Sequence, residues 1–349
     1  MDELKKLLKE NAERVNLELE NFLPKSFSSD WLEVVLGKAN FDYDKLTCTE
    51  AISKPIWNLI SRGGKRWRPF LMRLAYESVG GEESIEKFLI IPELIHNGTL
   101  IIDDIEDNSD IRRGAPCIHK IFGEDIAINV GNALYYLPLN LIMKSNLDKE
   151  LKFKIYEVIN EELIRLHFGQ GMDIYWHGNN KENVTEDQYL QMCVYKTGTL
   201  ARMSSKLGAI LGKASEGQIN ILGKFAESIG VAFQIQDDIL NITNKDWGKD
   251  FGEDIAEGKR SLMVIHTLEK AIEKDKEDLI EILKMKTKNK KLVESAIKII
   301  QKYDSINYSK NVAENLIKTA WSELDLKLKD SSAKIKMKML ADYLINRKI

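Results

Sequence analysis

The 349-residue sequence predicts an all-α protein, and three observations carry that prediction. Proline is scarce: six residues, at 24, 55, 69, 92, 116 and 138, leave the chain beyond 138 free of it. Proline breaks helix interiors, so proline-free stretches permit long helices. Apolar residues recur at spacings of three and four, as in Leu151, Ile155, Val158, Ile159, Leu163 and Leu166, which is the stripe of one helical face. The third observation is negative. Neither strand-type alternation nor an Asn-Gly hairpin signal stands out.

Residues 1–20 begin MDELKKLLKENAERV, which mixes acids and bases without a long apolar run. They read as an extra N-terminal helix rather than a secretory signal. Gly80-Gly81-Glu82-Glu83 and Gly178-Asn179-Asn180 read as loops between helices. Segment 93–107 is mostly apolar up to Ile102 and then acidic, and 231–241 repeats that pattern. The Lys/Glu-rich stretch 269–295 reads as solvated helical surface. No fixed-period repeat or low-complexity linker divides the chain. The expectation is one domain over 1–349 with ten or more helices.

Composition narrows the function. A net charge of −3 and a pI near 6.1 disfavour a nucleic-acid binder. Cys48, Cys117 and Cys193 are odd in number and lack a C-x-x-C pair, which argues against a disulfide framework or a zinc site and fits a reducing, cytoplasmic location. No run of about 18 uncharged apolar residues stands out, so no membrane span is expected.

The chemistry lies in the acids. Asp103 and Asp107 of DDIED are four apart and share a helical face. Two carboxylates there repel unless a cation sits between them. An acidic, solvated helix end is the plainer reading of one such cluster. A second, DDILN at 237–241, again closes an apolar helix. Two such helices packed side by side would line a pit with oxygen. Mg²⁺ prefers oxygen ligands and often takes only one or two carboxylates, with substrate phosphate supplying the rest. A general acid–base pair, as in glycosidases, is the other use of paired carboxylates; the doubled four-residue spacing favours a metal.

Phosphate near so many acids needs cations. Gly63-Gly64-Lys65-Arg66-Trp67-Arg68-Pro69, Arg112-Arg113-Gly114, Lys196-Thr197-Gly198 and Lys259-Arg260 supply them. Arginine binds phosphate oxygens bidentately and lysine acts as a point charge. Lys-Arg-Trp-Arg could also serve nucleic acid, against which the pI argues. No Walker A loop is present, and Asp250-Phe251-Gly252 lacks the other kinase motifs.

In order, GGKRWRP, DDIEDNSDIRRG, HFGQGMDIYW, YKTGTL, FQIQDDILN and GEDIAEGKRS resemble the motifs of the trans-isoprenyl (polyprenyl) diphosphate synthases, most closely the geranylgeranyl branch. The resemblance spans roughly 55–265. It implies a helical bundle around a deep central cavity and a homodimer. It implies that Asp103, Asp107 and Asp237 bind three Mg²⁺ on an allylic diphosphate, with Asp238 supporting Asp237. Arg112, Lys196 and Lys259 are then cations on that diphosphate. Lys65, Arg68, His96 and Arg113 bind isopentenyl diphosphate. Gln170, Asp173 and Gln234 line the pit, and Thr197 lies near the ionising carbon. Asn241 departs from the aspartate many members carry; asparagine keeps an oxygen but loses the charge, so a ligand role at 241 is not expected. The spacing Lys249…Asp254…Lys259 also resembles the geranylgeranyl branch.

The activity implied is 1′-4 condensation with isopentenyl diphosphate, a transferase step of isoprenoid biosynthesis. Ile95, Gly98 and Thr99 lie eight, five and four residues before Asp103 and would point down the cavity. Bulky residues there give short products in the family, so the small pair predicts C20 or longer. Close helix packing is the alternative use of Gly98 and Thr99, and the cavity floor could instead involve Tyr135 and Tyr136. Two other functions share these features: a class I terpene cyclase, which needs no second-substrate site, and a non-catalytic regulatory subunit of a prenyl synthase.

Overall fold

The three- and four-residue apolar spacing becomes helix throughout. The computed structural model describes residues 2–181, 183–244 and 251–346, among which are nineteen α-helices and one two-stranded ribbon. In chain order these are α1 Asp2–Phe22, α2 Ser29–Leu36, α3 Lys45–Cys48, α4 Lys54–Ile60, α5 Trp67–Ser78 and α6 Ile90–Glu106. The ribbon β1 Ile111–Arg112 and β2 Ala115–Pro116 follows, then α7 Ile118–Phe122, α8 Glu124–Tyr136, α9 Leu139–Met143, α10 Lys149–Tyr175, α11 Glu186–Cys193, α12 Thr199–Leu211 and α13 Glu216–Thr243. The chain ends with α14 Glu253–Glu257, α15 Leu262–Lys270, α16 Glu273–Met285, α17 Lys290–Lys302, α18 Ser305–Lys327 and α19 Ser332–Ile345. Internal contacts divide the chain into two units: Met1–Arg73 with Glu82–Tyr156, and Leu74–Gly81 with Glu157–Ile349.

In the first unit, α1 is the expected N-terminal helix. It buries Leu4, Leu8, Val15 and Leu19 along one face, each burial stabilising by about 1.5–3 kcal/mol. Asn11 shares that face and donates Nδ2 to the Arg66 carbonyl at 3.2 Å. Helix α6 packs on α8. Two features here were not read from the sequence. Residues 126–143 are uncharged, and Glu124–Met143 is long and apolar enough to cross a membrane by length and composition. Pro138 divides that segment into α8 and α9, and its buried side chains, among them Val130, Leu134 and Ile142, belong to the core of the unit. A hairpin also exists: β1 pairs with β2 through Arg113-Gly114. Both turn residues have positive φ, 53° and 75°, the requirement of a type I′ turn usually met by Asn-Gly.

In the second unit, α13 packs against α12 and α18. Its start is a capping box in which the Ser215 hydroxyl accepts from the Gln218 N–H and the Gln218 side chain accepts from the Ser215 N–H. The Lys/Glu-rich stretch forms α16 and α17, which bury Leu279, Leu283, Val293 and Ile297 and expose their charges. Gly178-Asn179-Asn180, read as a loop, lie in the π-helical turn Trp176–Asn180 that continues α10.

Candidate active site

In the first unit, α6 brings the DDIED acids to its C-terminal end. The Asp107 N–H donates to the Asp103 carbonyl at 2.9 Å, so the last turn stays helical and Asp103 and Asp107 share a face. Both are half-buried. Carboxylates at a helix C-terminus oppose the macrodipole at a cost of about 0.3–1 kcal/mol each, so a cation is favoured beside them. Asp104 behaves differently. It is fully buried and accepts from Arg112 Nε at 2.7 Å, while Arg112 Nη2 reaches Asp103 at 3.5 Å. Burial pushes the Asp104 carboxyl up and Arg112 pulls it part of the way back. Burial disfavours the Arg112 charge, but Asp104 and Asp103 more than offset it and raise the guanidinium.

The hairpin tip places Arg113 in a second group with Arg66, Arg68, Glu93, His96 and Asn97. Arg62 clamps the hairpin by donating to the carbonyls of Arg112 at 2.9 Å, Ala115 at 3.3 Å and Pro116 at 2.8 Å. Glu93 Oε1 accepts from Arg66 Nη1 at 2.5 Å and from Asn97 Nδ2 at 2.9 Å. Asn97 Oδ1 in turn accepts from Arg113 Nη1 at 3.3 Å. Arg68 Nη1 lies 3.3 Å from His96 Nε2. A guanidinium only donates, so Nε2 accepts and the ring proton sits on Nδ1, a buried N–H with no protein partner. Burial first, then Arg68, Arg113, Arg112 and Arg66, holds His96 well below its ordinary value, so it is neutral. Burial likewise pushes down Arg68 and Arg113, with neighbouring arginines adding to the effect and Glu93 opposing it. Three guanidinium groups around one buried carboxylate form a desolvated surplus of positive charge, which is suited to an anion. Lys65 is exposed on the preceding loop.

In the second unit, Lys196 and Thr197 lie on a π-helical turn, Val194–Gly198, between α11 and α12. The turn fits only because two facing helices carry glycine. A Cβ on Gly169 would strike the Lys196 backbone, and one on Gly230 would lie 2.6 Å from Gly198 Cα. Lys196 Nζ donates to Asp173 Oδ2 at 2.6 Å. Burial alone would raise Asp173, but Lys196, His177 and Lys259 hold it far below the usual carboxylate range. Gln170 lies three residues before Asp173 on α10 and is half-buried. Thr197 Oγ1 donates to Gln234 Oε1 at 2.8 Å. Asp237 is half-buried, one residue before the buried Asp238. Asp238 accepts from Tyr189 Oη at 2.7 Å and Gln234 Nε2 at 2.8 Å. Burial and Asp254 raise its carboxyl, while Tyr189, Gln234 and Lys259 oppose them. Lys259 Nζ is 2.7 Å from Glu257 and 3.5 Å from Asp254. Asn241 is buried, and its Oδ1 accepts from the Asp254 N–H at 3.2 Å. It fastens the segment that carries Asp254 and Lys259. Lys249 and Asp250 lie outside the described residues.

The three positions expected to set chain length separate. Gly98 is a packing position: a Cβ there would lie 2.8 Å from the Gly131 carbonyl and 2.9 Å from Leu134 Cβ of α8. Ile95 is fully buried. Thr99 is half-buried and donates its hydroxyl to the His96 carbonyl at 2.7 Å. Tyr135 is buried within 3.4 Å of the same Gly98 Cβ position, and Asp103 and Glu106 add to the burial that raises its hydroxyl. Tyr136 is exposed.

Sequence reasoning missed Arg62, Glu93, Asn97, Asp104 and Tyr189 as parts of these clusters. A charged residue in an apolar helical run was the available signal for Glu93. Among the described residues, no three His, Cys, Asp or Glu side chains converge to hold a metal by themselves. Asp103 and Asp107 on one helical face suit an ion such as Mg²⁺, which takes few protein carboxylates and completes its shell from water and phosphate. Acids at helix ends, together with buried guanidinium groups, define a helical enzyme that handles phosphorylated substrates. The chain belongs to the polyprenyl synthetase family, which residues 49–300 match. It is 36% identical over 301 residues to a short chain isoprenyl diphosphate synthase of Methanothermobacter thermautotrophicus, covering 85% of this chain and 91% of that protein. A geranylgeranyl diphosphate synthase of Saccharolobus solfataricus is 32% identical, with 99% of each chain covered. The crystal structure of geranylgeranyl pyrophosphate synthetase from Pyrococcus horikoshii superposes with a TM-score of 0.84 at 32% identity, covering 99% of each chain.

Proposed function

We propose that this trans-prenyltransferase condenses an allylic diphosphate with isopentenyl diphosphate, 1′-4, to give geranylgeranyl diphosphate or a longer all-trans prenyl diphosphate. The observation that carries this reading is the guanidinium cluster of Arg66, Arg68 and Arg113 with the buried N–H of His96. It is separate from the pairing of Arg112 with Asp103 and Asp104, and it gives a second anion a place of its own. A terpene cyclase has no use for it.

In this reading Asp103, Asp107 and Asp237 would hold Mg²⁺, three ions in all. When bound, the metal neutralises charge on the departing diphosphate. Arg112, Lys196 and Lys259 hold the allylic diphosphate and stabilise the negative charge that grows as its C–O bond breaks. Asp173 holds Lys196 in place through a 2.6 Å ion pair. Gln170 lies on the same stretch of α10. Thr197, oriented by Gln234, presents oxygen lone pairs toward the developing allylic cation. Lys65, Arg68, His96 and Arg113 hold isopentenyl diphosphate so that its double bond attacks that carbon. The new C–C bond forms as diphosphate leaves with its electron pair, and a proton is then lost to the released diphosphate. Water is excluded because it would capture the cation. Ile95, Thr99 and Tyr135 bound the growing tail on the side of α6, with Gly98 allowing α8 to approach.

A second copy of the chain is the proposed partner. Ile128 and Tyr136 on α8 and Phe153 on α10 are exposed apolar side chains of the first unit that a homodimer would cover. The cysteines are free, two of them buried, in keeping with the cytoplasmic reading. The test is incubation with Mg²⁺, isopentenyl diphosphate and each of the C5, C10 and C15 allylic primers, with products sized by mass spectrometry. Products of C20 or longer support the proposal. Hydrocarbon formed without isopentenyl diphosphate, or no turnover, would overturn it.

A further inference from the structure

Tyr189 is among the largest fully buried side chains, and its hydroxyl has no place in the diphosphate-binding sets above. It lies on α11, eight residues before Thr197. Its Oη donates to Asp238 Oδ2 at 2.7 Å. The other oxygen, Oδ1, accepts from Gln234 Nε2 at 2.8 Å, and Gln234 Oε1 accepts from Thr197 Oγ1 at 2.8 Å. Four side chains from α11, α13 and the π-helical turn thus form one directed chain.

Its direction follows from the groups themselves. Tyr189 Oη donates to Oδ2 and Gln234 Nε2 donates to Oδ1, so Asp238 accepts on both oxygens and holds the Gln234 amide with NH₂ toward itself and C=O toward Thr197. Thr197 must then give its one proton to Gln234, which leaves its oxygen lone pairs outward. A reversed amide would donate to Thr197 and turn the hydroxyl proton toward the substrate, where it would oppose a growing positive charge. Gln234 is on the same helix as Asp238, four residues away, and moves with it. Tyr189 belongs to another helix and fixes the carboxylate relative to the rest of the unit.

We propose that Tyr189 is a positioning residue for prenyl transfer, holding Thr197 Oγ1 through Asp238 and Gln234 with its lone pairs toward the carbon that becomes cationic. This rests on the reading of Thr197 given above. Tyr189→Phe, Thr197→Val and the double variant are compared for kcat and for KM of both substrates. Each single variant lowers kcat about tenfold with KM changed less than about twofold, and the double variant is no slower than Thr197→Val alone. Losses that multiply in the double variant, with melting temperature and both KM values shifting together, mean a merely structural role and overturn the inference. Tyr189→Phe at wild-type kcat, beside a slow Thr197→Val, overturns it while leaving the reading of Thr197 intact. Thr197→Val at wild-type kcat removes that reading, and the inference falls with it. If Tyr189→Phe does not fold, Asp238→Asn, which keeps the shape but gains a donor, tests the same link. A loss that does not multiply with Thr197→Val supports the inference, and multiplying losses overturn it.

Discussion

Replacing Arg113 with alanine removes one of three guanidinium groups from the cluster around Glu93. Its ground-state ties are weak: Nη1 is 3.3 Å from Asn97 Oδ1 and 3.4 Å from the Leu59 carbonyl. Burial opposes its charge, and Arg66, Arg112 and Arg62 oppose it further, while Glu93 favours it. The side chain therefore adds little to the stability of the fold. Bound diphosphate reverses that balance. One charge-assisted hydrogen bond in a desolvated setting is worth about 1.5–3 kcal/mol, and each 1.4 kcal/mol is about tenfold in affinity. Arg113→Ala should raise KM for isopentenyl diphosphate about 10- to 150-fold, with KM for the allylic substrate changed less than about threefold. Steady-state kinetics with each substrate varied in turn measures both. Melting temperature should move by no more than a few degrees. Equal increases in the two KM values would refute the assignment of Arg113 to the second anion, and a collapse in stability would refute the view that its charge serves binding rather than folding.

Gly98→Ala should destabilise the protein by about 1–3 kcal/mol through overpacking against Gly131 and Leu134, read as a lower denaturant midpoint, without shortening the product. Thr99→Phe should shorten the product, read by mass spectrometry. His96 is neutral in the folded protein and held well below its ordinary 6.5, so below that pH the unfolded chain takes up a proton that the folded one does not. The stability this neutral ring allows is complete above pH 6.5 and is lost as pH falls, by up to about 1.4 kcal/mol per pH unit. His96→Gln should therefore lose less stability than wild type between pH 6.5 and 5 in denaturant titrations, and parallel profiles would refute the assignment. Chelating divalent cations should abolish turnover while leaving the melting temperature of the ligand-free protein nearly unchanged.

Residues whose roles depend on neighbours along one helix were legible in the sequence. Asp103 and Asp107 share a face by four-residue spacing, and Asp237 repeats the arrangement. The Lys/Glu-rich surface helices and α1 follow from apolar periodicity in the same way. What was not legible depends on partners distant in the chain. Asp104 looks like a third acid of DDIED, and burial against Arg112 gives it a different role. Glu93 and Asn97 matter through Arg66 and Arg113, which loops bring to α6. Gly98 looked like an open space until α8 filled it. The Arg113-Gly114 turn escaped notice because arginine seldom takes a positive φ. The π-helical turn under Lys196 and Thr197 has no periodic signature, and its glycine contacts come from two other helices.

The central claim is that two diphosphates meet and one carbon–carbon bond forms for each diphosphate released. A rapid-quench turnover with Mg²⁺, farnesyl diphosphate and isotopically labelled isopentenyl diphosphate tests it most directly. The account predicts one diphosphate released for each label incorporated into a C20 product, and release that stops when isopentenyl diphosphate is withheld. Diphosphate released at an undiminished rate without isopentenyl diphosphate, with no label in any elongated product, would contradict it.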